Sequence, residues 1–107
     1  MKANCLLVVT AEVDPAVEDA WNDWYDRVHL PDALACPGVL AGRRYVSAGP
    51  IAEFVRGQRR SSEKRVYTTI YELSGPEAVA TPEFSAMRGW AEFGAGVVSQ
   101  TRVVVAR

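Results

Sequence analysis

The first strand-like segment of this chain is apolar on both of its faces. Residues 4–13 read NCLLVVTAEV, a run of β-branched and apolar side chains typical of a strand. Side chains alternate across a strand, so its two sides carry different residues. One side holds Cys5, Leu7, Val9 and Ala11, and the other holds Leu6 and Val8. A sheet built around this strand has to be covered on both faces.

A helix is expected directly after this strand. Asp14 is its predicted N-cap and Pro15 its first residue. Leu30-Pro31 is expected to end the helix, because a residue that precedes proline is pushed out of the α region. Apolar residues recur at helical spacing along one stripe, which comprises Val17, Ala20, Trp21, Trp24 and Val28.

Three more strands and a second helical region complete the pattern. The strands are predicted over residues 39–48, 65–73 and 97–106. The second helical region opens at Ser74-Gly75-Pro76 and restarts at Pro82 with Thr81 as its N-cap. Its expected apolar face comprises Phe84, Met87 and Ala91. The polar segment 50–64 is expected to be an irregular, mobile connection.

The resulting order, βαββαβ, matches the ferredoxin-like arrangement. This is an α+β fold in which a four-stranded antiparallel sheet carries two helices on one face. At 107 residues the chain has room for a single domain, spanning residues 1–107. Such a domain leaves the second sheet face open, although residues 97–105 repeat the two-sided apolar pattern. We therefore expect a homodimer that forms through the sheet.

Charge and composition exclude several classes of protein. The net charge of −1 argues against a nucleic-acid binder, since such domains have a clear basic excess. The N-terminal apolar stretch is too short to cross a membrane and lacks a signal-peptide pattern, so we expect a cytoplasmic protein without a membrane partner. Cys5 and Cys36 lack metal-ligand spacing and are expected to be buried and inert. The basic residues of 56–65 indicate either a solvated loop or a surface that attracts an anionic substrate.

The segment Asn22 to Pro31 holds the candidate catalytic residues. His29 and Tyr25 lie one turn apart on the flank of the apolar stripe, and Asn22 shares that flank. A histidine there titrates near neutrality and suits proton transfer, with Asp26 or Asp32 to orient it or raise its pKa. Tyr25 or Asn22 would donate to an oxyanion. Alternatively, His29 only stabilises the C-terminus of the helix.

The remaining aromatic residues are candidates for substrate binding. They are Trp24, Tyr45, Tyr67 and Tyr71, although aromatic residues at such positions more often belong to the core. The sequence has no nucleophile motif and no glycine-rich phosphate loop. With a single histidine, no metal site is expected, and no cofactor is predicted.

Two stretches of the chain resemble a known family. WYDRVHLPDALACPGVLAGRRY covers Trp24 to Tyr45, and VYTTIYELSGPEAVATPEF covers Val66 to Phe84. They resemble the dimeric α/β-barrel superfamily, and within it the EthD-like small proteins with a helix-borne W-Y-x-x-x-H-x-P motif. The resemblance implies an aromatic or polyketide-like small molecule between helices and sheet, with His29 as the acid/base. The basic connection from Glu53 to Arg65 is longer than the family's links.

The family does not select one reaction, because its members include cofactor-free monooxygenases, polyketide cyclases, lactone isomerases and haem-degrading enzymes. The first hypothesis is a cofactor-independent enzyme that enolises, cyclises, isomerises, cleaves or oxygenates a carbonyl-bearing substrate. The second is a non-catalytic metabolite-binding or accessory dimer. The third, haem binding or degradation, has no supporting feature besides His29.

Overall fold

A four-stranded antiparallel sheet forms the frame of the fold. The computed structural model describes residues 3–48, 51–62 and 65–107, and within 51–62 it describes side chains only at 54 and 56–59. The strands are β1 (Cys5–Val13), β2 (Val39–Val46), β3 (Ile51–Val55), β4 (Gln58–Ser62), β5 (Val66–Leu73) and β6 (Val97–Val105). The main sheet has the order β2-β5-β1-β6, and all of its neighbours are antiparallel. This order confirms the ferredoxin-like α+β prediction.

Helical segments cover one face of this sheet. They are α1 (Pro15–Trp24), a π-helical turn (Tyr25–His29), α2 (Leu30–Leu34), a 3-10 helix (Pro76–Ala80), α3 (Pro82–Met87) and a second 3-10 helix (Ala91–Gly96). Within the described ranges, no helix is long and apolar enough to cross a membrane. Both predicted N-caps are confirmed: Asp14 accepts from the Ala16 amide at 2.9 Å, and Thr81 accepts from the Phe84 amide at 3.1 Å.

Pro31 does not end the first helix, contrary to the sequence-based expectation. The helix continues through the π-turn into α2, and the Leu30 amide donates to the Tyr25 carbonyl five residues earlier. Pro31 has no N–H, and its ring crowds the carbonyl of Arg27 in a regular helix. A wider turn relieves that conflict without breaking the segment.

The π-turn also decides which residues face the sheet. Trp21, Tyr25, His29 and Ala33 are all buried at four-residue spacing. In a regular α-helix, residues four apart drift by about 40° at each step, and the wider turn compensates for that drift. Val28, predicted in the apolar stripe, is 44% exposed. Tyr25 and His29 therefore lie at the centre of the inward face and not on its flank.

Two further segments differ from the sequence-based expectations. The polar connection contains a β-hairpin, since β3 and β4 pair with each other in a separate two-stranded sheet. Residues 49, 50, 63 and 64 lie outside the described residues. Ala91 is exposed in the second 3-10 helix, because α3 stops at Met87. Cys5 and Cys36 are buried free thiols as predicted, and burial raises the pKa of the Cys36 thiol.

The core lies between the helices and the inward side of β1 and β5. Cys5, Leu7 and Val9 pack in one cluster with Ala33 and Phe84. On the opposite side of the sheet, none of the helical segments in the described part of the chain covers the apolar residues of β1 and β6. Leu6, Val8 and Val104 are half-buried there, and Val98 is 74% exposed. This outer face matches the two-sided pattern of the sequence.

We expect a second copy of the chain to cover the outer face. Light scattering should then give about twice the 11.7 kDa mass of one chain. Val104→Glu should shift the protein toward monomer, because a charge buried between two sheets is costly. Val28→Glu, on the exposed side of the helix, is the matched control and should stay dimeric. A folded parent protein that is monomeric at micromolar concentration would contradict this expectation.

Candidate functional site

A cleft of about 310 Å³ opens between the helical layer and the β1–β6 side of the sheet. Much of its wall is apolar and includes Leu7, Val9, Val79, Phe84, Met87 and Val103. Its polar and charged groups are Tyr25, His29, Tyr71, Arg88, Ser99 and Thr101. A concave, mainly apolar site with a few converging polar groups is typical of small-molecule binding.

His29 ends the π-turn and is only 7% exposed. Its ring stacks on Trp24 with centroids 4.7 Å apart and meets Tyr25 edge-on at 4.7 Å. Burial lowers the pKa of His29 from 6.5 to about 4; Asp32 opposes this shift, and Arg44 adds to it. The imidazole is therefore neutral at pH 7.

These surroundings correct the expectation that Asp26 or Asp32 orients the His29 ring or produces a raised pKa. Asp32 acts in the predicted direction, but desolvation outweighs it. Asp26 instead forms an ion pair with Arg44, whose Nη1 donates to Asp26 Oδ1 at 2.6 Å. The position of His29 in the centre of the inward face explains the difference, because a flank position would have kept water near the ring.

Two tyrosine hydroxyls meet inside the cleft. The Tyr25 and Tyr71 oxygens lie 3.2 Å apart, and both residues are buried. Burial raises the pKa of Tyr71, and the neighbouring Tyr25 raises it further, whereas Arg44 opposes this shift. One hydroxyl donates to the other, which leaves one O–H free to donate to a ligand.

The structure brings together three of the seven residues proposed for the site. His29, Tyr25 and Tyr71 all line the cleft. Trp24 is half-buried and contacts the His29 ring without lining the cleft. Tyr45 is 47% exposed on the outer sheet face.

Asn22 and Tyr67 lie outside the cleft lining, in a hydrogen-bonded chain of their own. Asn22 Nδ2 donates to the Tyr67 hydroxyl at 2.9 Å, and that hydroxyl donates to Glu18 at 2.5 Å. The Asn22 amide therefore already has partners on both of its polar atoms, the oxygen accepting from Arg44 Nη2 at 2.8 Å. Of the two donors expected from the sequence, Tyr25 lines the cleft and Asn22 does not.

Trp90 and Arg88 were missed as site residues because the second helix was expected to run through to Ala91. α3 ends at Met87, and Gly89 adopts a left-handed φ of 102° that turns the chain back over the cleft. Trp90 Nε1 then donates to Ser99 Oγ at 3.0 Å, and the Trp90 ring lies 5.4 Å from His29. The Gly89-Trp90 pair was the available signal for such a turn.

Arg44 was also missed. Its guanidinium carbon lies 4.0 Å over the Tyr25 ring, and its side chain is 12% exposed. Alternation along β2 contained the signal, since one of the adjacent Arg43 and Arg44 has to face the helices. Among the described residues, no group of three or more His, Cys, Asp or Glu side chains is placed to hold a metal ion.

The lowered pKa of His29 predicts a specific pH dependence of stability. Between pH 6.5 and about 4, the unfolded histidine binds a proton that the folded one does not. The contribution to stability is thus complete above pH 6.5 and is lost as the pH falls toward 4, by up to about 1.4 kcal/mol per pH unit. His29→Gln removes this pH-dependent contribution to the free energy of unfolding.

Chemical unfolding of the parent and of His29→Gln at pH 7, 6 and 5 measures it. The parent should lose stability faster than the variant on acidification, whatever packing the variant has lost. Equal slopes would mean that His29 keeps an ordinary proton affinity in the folded state.

No sequence-family profile and no curated sequence matches the chain. Solved structures do match. An EthD family protein from Bacillus halodurans has a TM-score of 0.58 at 16% identity, covering 92% of this chain and 96% of its own. The cofactor-independent oxygenase SnoaB from Streptomyces nogalater has a TM-score of 0.54 at 15% identity, covering 98% and 95%.

A third match is a monooxygenase from the gene ActVA-Orf6 of Streptomyces coelicolor, solved in complex with nanaomycin D. Its TM-score is 0.57 at 14% identity, and the match covers 98% of this chain and 88% of that one. At such identities the likeness is one of fold. The chain therefore has the ferredoxin-like fold of an EthD family protein and of small monooxygenases, which confirms at the level of the fold the resemblance seen in its sequence.

Proposed function

We propose that this protein is a cofactor-independent small-molecule enzyme of the monooxygenase type. Its substrate would be an aromatic or polyketide-like molecule that carries a phenol or an enolisable carbonyl. One observation carries the proposal: a neutral, buried imidazole and a tyrosine hydroxyl pair line the same largely apolar cleft. The fold shared with a cofactor-independent oxygenase and a monooxygenase supports this reaction class.

His29 would act as the general base. Its neutral imidazole accepts a proton from a C–H next to the carbonyl, and the negative charge moves to the carbonyl oxygen. The free hydroxyl of the Tyr25–Tyr71 pair donates to that oxygen. The pKa of His29 is about 4, but an anion formed beside the imidazole favours the imidazolium, so the two charges arise as a pair.

The resulting carbanion is electron-rich enough to reduce molecular oxygen, the co-substrate. Electron transfer and radical recombination form a C–O bond and a peroxide anion, which takes the proton from the His29 imidazolium. Loss of water then breaks the O–O bond and the second C–H bond of the same carbon. In total, a CH₂ group and O₂ yield a C=O group and H₂O, and His29 is neutral again.

A non-catalytic binding protein is the second candidate, and one observation favours it. The His29 ring lies in an aromatic cluster with Trp24, Tyr25 and Trp90, a setting that also suits a packed core histidine. In that case the cleft would hold a metabolite, and the histidine would serve only in packing and hydrogen bonding.

Replacing His29 separates the two candidates. Oxygen uptake and product formation should be measured on a panel of polycyclic phenols and aryl ketones with an acidic CH₂ group. His29→Gln should lower kcat/KM by about 100-fold or more, since positioned proton transfer contributes about 10² to 10⁴. Val28→Gln, at the exposed neighbouring position, should leave kcat/KM unchanged.

The pH profile adds a second readout. Because burial lowers the pKa of His29 to about 4, kcat/KM should stay flat from pH 7 to 5.5 and fall only at more acidic pH, as the base becomes protonated. His29→Gln should lack this acidic fall. Binding of a panel compound without turnover, equally by parent and variant, would leave the binding protein as the better assignment.

A further inference from the structure

Two directed hydrogen bonds hold the Arg44 guanidinium in place. Nη1 donates to Oδ1 of Asp26, in the π-turn, at 2.6 Å. Nη2 donates to Oδ1 of Asn22, on α1, at 2.8 Å. Asn22 Nδ2 in turn donates a hydrogen bond to the Tyr67 hydroxyl, which donates to the Glu18 carboxylate. A planar guanidinium with two partners in fixed directions keeps one orientation.

The Arg44 guanidinium faces the ring of Tyr25. Its carbon lies 4.0 Å over the ring of Tyr25, whereas the Trp21 and Tyr67 rings are more distant at 5.1 Å and 5.5 Å. Tyr25 lines the cleft and Arg44 does not, so Arg44 acts on the cleft through that ring. A cation held on the face of an aromatic ring is attracted to it, most strongly where water is excluded.

We propose that Arg44 is the positioning residue that makes the Tyr25–Tyr71 hydroxyl pair an anion-binding site. It holds the Tyr25 ring in place and supplies the positive charge that a phenolate or enolate oxygen requires at that pair. This rests on the proposed function and names its ligand class: the ionised form of a phenol or of an enolised ketone. The cleft would bind this anion in preference to the neutral, protonated form of the same molecule.

The charges around Arg44 are consistent with such a role. The carboxylate of Asp26, which forms the ion pair with Arg44, is exposed, so solvent screens its charge. The Arg44 side chain is largely buried. Other charged or titratable groups surround Arg44 and the Tyr25–Tyr71 pair. They are Glu18 on α1, Asp32 on α2, Tyr67 on β5, His29 on the π-turn and Arg88 at the cleft. Because Asp26 is exposed and Arg44 is largely buried, the charge of Arg44 acts on the adjacent Tyr25 ring with less screening than the charge of Asp26.

The test uses 4-nitro-1-naphthol, whose anion absorbs at a longer wavelength than the neutral phenol. At a pH where the free probe is half ionised, the absorbance of the bound probe reports its ionised fraction directly. The parent should bind it mostly as the anion. Arg44→Met should lower the ratio of bound anion to bound neutral probe about tenfold, the low end of the effect of a neighbouring charge.

Arg43→Met is the matched control. Arg43 is the adjacent residue of β2, it also lies over a tyrosine ring, at 5.6 Å from Tyr45, and it points to the outer sheet face. Its replacement should leave the ionised fraction unchanged. Arg44→Lys should restore part of the anion preference, because it restores the charge but not the two directed hydrogen bonds.

If Arg44→Met does not fold, Asn22→Asp provides the test. It keeps the guanidinium packed on Tyr25 but sets a second carboxylate against it, so the bound anion fraction should fall. An equal ionised fraction in the parent and in Arg44→Met, or in the parent and Asn22→Asp, would overturn the role of Arg44. Failure of the parent to bind the probe would instead overturn the phenol-binding function on which that role depends.

Discussion

Pro31 lies inside a continuous helical segment; it has no amide hydrogen, and in a regular α-helix its ring would crowd the carbonyl of Arg27. The backbone resolves this conflict with the π-turn of Tyr25–His29. In a regular helix, Trp21, Tyr25, His29 and Ala33 would rotate progressively away from one line. Because the turn is wider, all four stay on the inward face. The geometry of the cleft, in which His29 and Tyr25 lie side by side, therefore depends on how the helix accommodates one proline.

Burial gives His29 its position and limits its basicity. The aromatic rings that fix the imidazole also exclude water, and desolvation lowers the pKa to about 4. An imidazole of this kind is unprotonated at neutral pH and therefore available as a base, but it needs a nearby anion to hold the proton it accepts. A substrate that becomes anionic on losing that proton meets this condition. This is why the tyrosine pair and Arg44 are as important to the proposed chemistry as the histidine.

The fold was predictable from the sequence to a large extent, and the site only in part. Strand and helix order follow from side-chain periodicity, and the caps at Asp14 and Thr81 follow from local hydrogen bonding. The π-turn does not follow from these rules, because the effect of proline on a helix depends on whether tertiary packing holds both halves together. The β3–β4 hairpin was missed for a different reason: β4, with the sequence QRRSS, is wholly polar, so no apolar alternation marks it as a strand.

The position of Arg44 shows how strand register divides charge between the two faces of the sheet. Arg43 and Arg44 are consecutive on β2, so one points to the outer face beside Tyr45 and the other points inward over Tyr25. A register shift of one residue would change which of β2's residues face the helices. From the sequence, Asp26 was expected to orient His29 and Asn22 to donate to an oxyanion. In the folded chain they hold an arginine instead, and their connection to the cleft passes through that arginine and the ring of Tyr25.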